Sequence, residues 1–176
     1  LGSINAKDFA ALIGGKLDNA GSISVPGGDA ALLAADAVLE VGEASGGKIT
    51  LDLSGLLEGS ASNSGSMDVS SSTMQGGSAT ILGEQVSVSG SVDASGVTSG
   101  GTINVGGDFQ GGNPDLTNAT TADVTGTLAA DSEVNGNGGR IIVWADGVTS
   151  FSGDLSATGV ESGGFAEVSG ISVLNC

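Results

Sequence analysis

The amino-acid sequence predicts an all-β fold, a parallel β-helix (β-solenoid) of roughly seven coils, the architecture expected where a unit of a few tens of residues repeats along one chain. Two motifs and their spacing predict it. The first is Ser-Gly-Gly-x-apolar-x-apolar, seen in Ser45-Gly46-Gly47-Lys48-Ile49-Thr50-Leu51 and repeated at 76–81, 99–105, 137–143 and 162–168. Paired glycines supply a turn, and the alternation after them supplies a short strand with one apolar face. The second is apolar-Ser/Thr-Gly-x-apolar-x-Ala, seen in Val88-Ser89-Gly90-Ser91-Val92-Asp93-Ala94 and again at 124–130 and 151–157. Its first, fifth and seventh positions share a parity and face one side, while serine, threonine and aspartate face the other. Turns beginning at Gly46, Gly76, Gly100, Gly138 and Gly163 are 30, 24, 38 and 25 residues apart, a spacing suited to solenoid coils.

Residues 1–20 are a less regular start or cap: Ala6-Lys7-Asp8-Phe9-Ala10-Ala11-Leu12-Ile13 reads as a short helical turn, capped by Asn5 or Asp8, that covers the open end of the stack. Alternation begins at Gly21-Ser22-Ile23-Ser24-Val25, and Pro26-Gly27-Gly28-Asp29 is a turn. The 38-residue interval holds an insertion, placed at 108–122 because Gln110-Gly111-Gly112-Asn113-Pro114-Asp115 breaks the alternation with turn-forming residues. It is a lateral loop on the flank of the rod. Residues 171–176 form a tail, and 1–176 reads as a single segment. Its interior is stacked Val, Ile, Leu and Ala, since aromatics make up only 3% of a chain with 33 glycines. Leu1 reads as an internal cut of a longer polypeptide or a processed end.

Charge and missing side chains restrict function. Four basic and 20 acidic residues give a formal charge of −16, which repels nucleic acid and anionic lipid. No stretch is long and apolar enough for a membrane span; the most apolar, 30–39, is half the needed length and contains Asp36. With no histidine and only Lys7, Lys16 and Lys48 as lysines, serine has no ordinary base to activate it, so the chain is read as not an enzyme. Carboxylates at Asp93, Asp131, Asp146, Asp154 and Glu167 leave one enzymatic alternative, a polysaccharide-degrading β-helix. Arg140, the lone arginine, offers little for an acidic substrate.

No cofactor is expected. Calcium is the one metal the sequence leaves open, because Gly106-Gly107-Asp108-Phe109 and Gly27-Gly28-Asp29-Ala30 match part of the nonapeptide GGxGxDxUx, without its full spacing or tandem repetition. A threonine ladder for ice or crystal surfaces is broken, the outward positions reading Thr50, Thr80, Asn104, Ile142 and Glu167. Candidate surface contacts are Trp144, Arg140 and Phe109. Alternation turns Arg140, Ile142 and Trp144 outward, so the single tryptophan is either covered by the loop around Phe109 to Leu116 or stands free as a platform for a sugar or partner chain. Asn118-Ala119-Thr120 fits the N-glycosylation acceptor, and Cys176 is either a terminal residue without a role or an intermolecular link.

The successive units 88–96, 100–109, 128–131, 136–146 and 151–157, closing with Gly163-Gly164-Phe165-Ala166-Glu167-Val168-Ser169-Gly170, resemble the repeats of filamentous-haemagglutinin-type exoproteins of two-partner secretion systems in Gram-negative bacteria, cyanobacteria included. The resemblance covers roughly residues 20–170. It implies a right-handed parallel β-helix, exported through an outer-membrane pore partner and displayed at the cell surface or released. It also implies a stalk segment with a structural or adhesive role in the manner of adhesins and biofilm matrix components, with host or matrix glycans as partners; open strand edges at both ends separately suggest further copies stacked end to end into a filament. Family membership names no ligand.

Overall fold

A computed structural model describes residues 2–35, 41–44, 48–51 and 58–176. The chain winds through six coils, each contributing one strand to each of three sheets. Coil one holds β1 (Ser3–Asn5), β2 (Phe9–Gly14) and β3 (Lys16–Asn19). Coil two holds β4 (Ser22–Ser24) and β5 (Asp29–Ala34), then a hairpin of β6 (Val41–Ala44) and β7 (Lys48–Leu51), then β8 (Ser60–Asn63). Coils three to six repeat the order with β9 (Ser66–Asp68), β10 (Ser78–Leu82) and β11 (Gln85–Val88); β12 (Ser91–Asp93), β13 (Thr102–Val105) and β14 (Thr121–Val124); β15 (Thr127–Ala129), β16 (Arg140–Ala145) and β17 (Val148–Phe151); and β18 (Asp154–Ser156), β19 (Phe165–Gly170) and β20 (Val173–Asn175). Sheet one is β1-β4-β9-β12-β15-β18, sheet two β2-β5-β10-β13-β16-β19 and sheet three β3-β8-β11-β14-β17-β20. Every pairing within these sheets is parallel, so the fold is a parallel β-solenoid.

The coil number differs from the sequence expectation of seven for a local reason. Lys48–Leu51 carries the glycine-pair motif yet pairs antiparallel with Val41–Ala44 in a separate two-stranded sheet, so it adds no coil; Ser45, Gly46 and Gly47 lie outside the described residues. The motif copy used by coil two is Gly27-Gly28 before β5. At the start of the chain, residues 9–14 form a strand instead of a helical turn. Pairing with β5 sets Ala10 on Ala30 and Leu12 on Leu32, and this tertiary gain overrides the helical preference of alanine. Near the other end, Val173–Asn175 pairs with β17 as part of coil six.

Register carries each inward residue onto its equivalent one coil away. Sheet one stacks Ile4, Ile23, Met67, Val92, Leu128 and Leu155. Sheet two stacks Leu12, Leu32, Ile81, Val105, Val143 and Val168. Sheet three stacks Leu17, Ala61, Val86, Ala122, Thr149 and Leu174. Inter-strand spacing of about 4.8 Å brings each of these side chains into contact with its equivalent one coil away. In sheet three the end of the column changes from polar to apolar. Asn19 Nδ2 donates to Asn63 Oδ1 at 2.7 Å and Asn63 Nδ2 to the Ser91 carbonyl at 3.2 Å, and Val88, Val124 and Phe151 continue above them.

Glycine is required where sheet three turns into sheet one. A Cβ at Gly65, Gly90, Gly126 or Gly153 would fall on the carbonyl oxygen of Gly21, Gly65, Gly90 or Gly126 in the preceding coil. The second motif is therefore a steric signature of coil spacing.

In coils two and five the sheet-two strand is apolar on both faces, which explains why Asp29–Ala34 and Arg140–Ala145 read as nearly continuous hydrophobic stretches. Ala30 and Leu32 face the interior, while Ala31, Leu33, Ala35 and Leu82 form a second buried cluster on the outside, packed with Leu116 from the lateral loop.

Candidate functional site

The candidate surface contacts Trp144, Arg140 and Phe109 converge on the outer face of sheet two, where the segment between Val105 and Thr121 leaves coil four and returns to it. The excursion spans residues 106–120; Thr121 and Ala122 already belong to β14. It opens on Gly106, whose φ of 77° is a left-handed turn. Asp108 then organises it: Oδ1 accepts from the Phe109 N–H at 2.7 Å and Oδ2 from Asn113 Nδ2 at 2.9 Å. Between these contacts lies a short 3-10 turn, Phe109–Gly111, with Gln110 at φ 53°. Asn113 Oδ1 accepts from the Asp115 N–H at 3.0 Å, an Asx turn around Pro114.

Arg140 at the start of β16 pairs with Asp108 at 2.5 Å. Burial by itself pushes the Asp108 carboxyl up, but hydrogen bonds from Asn113, the Phe109 N–H and Arg140, with the guanidinium charge, together hold it below the usual carboxylate range. Phe109 meets Phe165 of β19 edge to face, with ring centroids 5.6 Å apart at 66°. These two rings stay 44% and 45% exposed. The Gln110 N–H donates to Glu167 Oε2 at 3.2 Å.

Trp144 lies beneath this excursion and is only 7% exposed. Its Nε1–H donates to Asp146 Oδ1 at 2.9 Å, and backbone lies flat on the indole: a Cβ at Gly111 would stand 2.6 Å from Nε1 and one at Gly107 2.9 Å from Cδ1. Trp144 is thus a packing residue, and Phe109 and Phe165 are the aromatic surface. Asn118 Nδ2 donates to the Gly111 carbonyl and to Asp146 Oδ1, both at 3.1 Å, so the acceptor amide of the Asn-Ala-Thr sequence is engaged in holding the excursion closed. Among the described residues, two buried acceptors, Asn104 Oδ1 and Asn118 Oδ1, have no hydrogen-bond donor.

Beside the aromatic pair runs an open trough of about 430 Å³. Its floor is the glycine turns at 100–101, 138–139 and 163–164, and its walls carry Gln75, Ser99, Thr102, Asn137, Arg140 and Phe165. Ser99 Oγ bonds the Asn137 carbonyl at 3.2 Å and Ser162 Oγ bonds Asn137 Oδ1 at 2.8 Å, giving a polar ladder from coil to coil. The sequence reading missed this trough, although the repeated Ser/Asn before each glycine pair marks it.

The candidate acids are dispersed around the rod. Asp68 and Asp93 are register partners at the exit from sheet one, each accepting from the backbone N–H two residues on, at 3.0 and 2.8 Å. Asp131 accepts from Ser156 Oγ at 2.7 Å and from the N–H and Oγ1 of Thr158 at 2.6 and 2.8 Å, bridging coils five and six. Burial opposes its ionisation, and these three hydrogen bonds outweigh it, leaving its pKa lowered. Asp146 serves Trp144 and Asn118, Glu167 serves Gln110 and Ser169, and Asp154 is exposed at the start of β18. Of the two partial nonapeptide aspartates, Asp108 is committed to Arg140 and Asn113, and Asp29 is an exposed strand start. Among the described residues, no three Cys, Asp or Glu side chains converge as a metal-ligating group.

No protein-family model matches the chain, and no curated protein does. Among solved structures it is similar to the crystal structure of the HMW1 secretion domain from Haemophilus influenzae, with a TM-score of 0.52 and 21% identity. The likeness is one of fold. It covers 98% of this chain but 60% of the other, so the chain spans about three fifths of that structure's length.

Proposed function

We propose that this chain is a stalk segment of a large secreted exoprotein of a Gram-negative bacterium, delivered through an outer-membrane pore partner to act as an extracellular structural and adhesive rod. One observation carries the reading: three six-stranded parallel sheets repeat the same cross-section coil after coil, which builds length and side surface. The solved structure of similar fold comes from a secretion domain, in keeping with an exported chain. Adhesion is assigned to the Phe109–Phe165 pair, Arg140 and the adjoining trough, which join apolar rings to a polar ladder in the manner of a surface for matrix glycans.

The same trough favours glycan binding as the second reading, without turnover. The purified chain, immobilised and probed with a panel of neutral and acidic polysaccharides, is expected to retain at least one class and to release no reducing ends. Phe165→Ala with Phe109→Ala is expected to lower retention about tenfold, as loss of buried aromatic anchors does. Release of reducing ends would replace the rod by an enzyme, and retention unchanged by the double substitution would remove this face as the contact.

A further inference from the structure

The 106–120 excursion touches coils that do not touch one another. It belongs to coil four, yet Leu116 packs against the buried outer cluster that Ala31, Leu33 and Ala35 of coil two form with Leu82 of coil three. In the opposite direction Asp108 holds Arg140 and Asn118 holds Asp146, both of coil five, and Phe109 and Gln110 reach Phe165 and Glu167 of coil six. Neighbouring coils make the same corner with two residues, Gly83 and Glu84 between β10 and β11 and Asp146 and Gly147 between β16 and β17. Winding the coil does not require the extra length.

In a solenoid each repeat contacts only its neighbours, so stability is a sum of nearest-neighbour terms and the ends open first. We propose that the excursion is a longitudinal clasp that couples coils two to six into one cooperative unit, so that the rod yields as a block instead of peeling coil by coil. Its two grips are chemically different. Leu116 holds one side by apolar burial, and the Asp108–Arg140 pair with the Asn118 and Gln110 bonds holds the other by charge and hydrogen bonding.

Native-state hydrogen exchange on the whole chain tests this through reciprocity. Arg140→Gln, a change in coil five, is expected to speed exchange in β5 and β10 about fivefold, and Leu116→Ala to do the same in β16 and β19, which lie beyond its own contacts. Leu128→Val, in the interior of coil five on sheet one, serves as the comparison, with an effect that falls off with each coil. Replacing residues 106–120 by Gly-Glu is expected to abolish the distant effect of Arg140→Gln. The proposal is overturned if Arg140→Gln and Leu116→Ala decay with coil distance as Leu128→Val does. Should the shortened chain fail to fold, the single substitutions decide the matter.

Discussion

Replacing Gly90 by alanine is expected to destabilise the rod far more than one added methyl group suggests. Gly90 lies between β11 and β12, and its new Cβ would stand 2.7 Å from the Ser64 carbonyl carbon, 2.8 Å from the Ser64 oxygen and closer still to the Gly65 oxygen. Relief requires coils three and two to part at this corner. That breaks the Gly90 N–H bond to the Asn63 carbonyl at 3.0 Å and the Ser91 N–H bond to the Gly65 carbonyl at 2.9 Å. Two bonds at about 1 kcal/mol each, with about 1–3 kcal/mol for overpacking, outweigh the gain of less than about 1 kcal/mol from a stiffer unfolded chain. The net loss is about 2–4 kcal/mol. Urea unfolding followed by far-ultraviolet circular dichroism and by Trp144 fluorescence measures it. Gly112→Ala is the matched control: φ is −88°, the nearest atom to a new Cβ is the Phe109 oxygen at 3.4 Å, and the expected change lies within ~0.5 kcal/mol. A loss below about 1 kcal/mol for Gly90→Ala, the worth of a single such bond, would show that the coils part freely and that glycine does not set their spacing.

Three further outcomes are expected. Asn63→Val takes the acceptor from one Asn19 Nδ2 bond, leaving that amide its 3.2 Å bond to the Ser66 carbonyl, and the side-chain donor from the Ser91 carbonyl, at a cost of about 1–3 kcal/mol; Asn19→Val with Asn63→Val costs less than the two single losses summed, because the Asn19–Asn63 bond is counted in both, and strictly additive losses in a double-mutant cycle would contradict this. Asp131 has a lowered folded-state pKa, so its stabilising contribution is complete above the ordinary carboxylate value of about 3.9 and disappears as pH falls through the lower folded value. Thermal midpoints should therefore separate wild type from Asp131→Asn at pH 7 and bring them together in strong acid, and a gap independent of pH would refute the assignment. Trp144 should emit as a buried indole and resist acrylamide, and Asn118→Ala should raise its quenching by freeing the backbone that covers it; unchanged quenching would mean that another group shields the ring.

The repeating alternation made sheets one and two readable from sequence, because a strand buried against its own equivalents announces itself by parity. What the motif could not convey was the partner of each strand. Lys48–Leu51 has the right turn and alternation, but its backbone bonds go to Val41–Ala44, and nothing local distinguishes a hairpin from a coil. The corners that close coils one and two were hidden for another reason: Asn19-Ala20-Gly21 and Asn63-Ser64-Gly65 put asparagine where later copies put valine or phenylalanine, so an apolar template passes over them although their glycines keep the ladder. Arg140 and Phe109 were identifiable as unusual residues in this chain. That they pair with Asp108 and Phe165 was not legible, since the excursion that aligns them follows turn chemistry at Asp108 and Asn113 and no period.

Both long departures from the stack, between β5 and β8 and between β13 and β14, leave from the corner joining sheet two to sheet three. The corner joining sheet three to sheet one is locked by glycine against carbonyl, with no space for additions. Two coils thus carry additions along one flank, and the five two-residue corners between sheets three and one carry none. A foreign peptide carried at Gly112, the tip of an existing departure where a new Cβ meets nothing nearer than 3.4 Å, would hang from that flank without parting the coils.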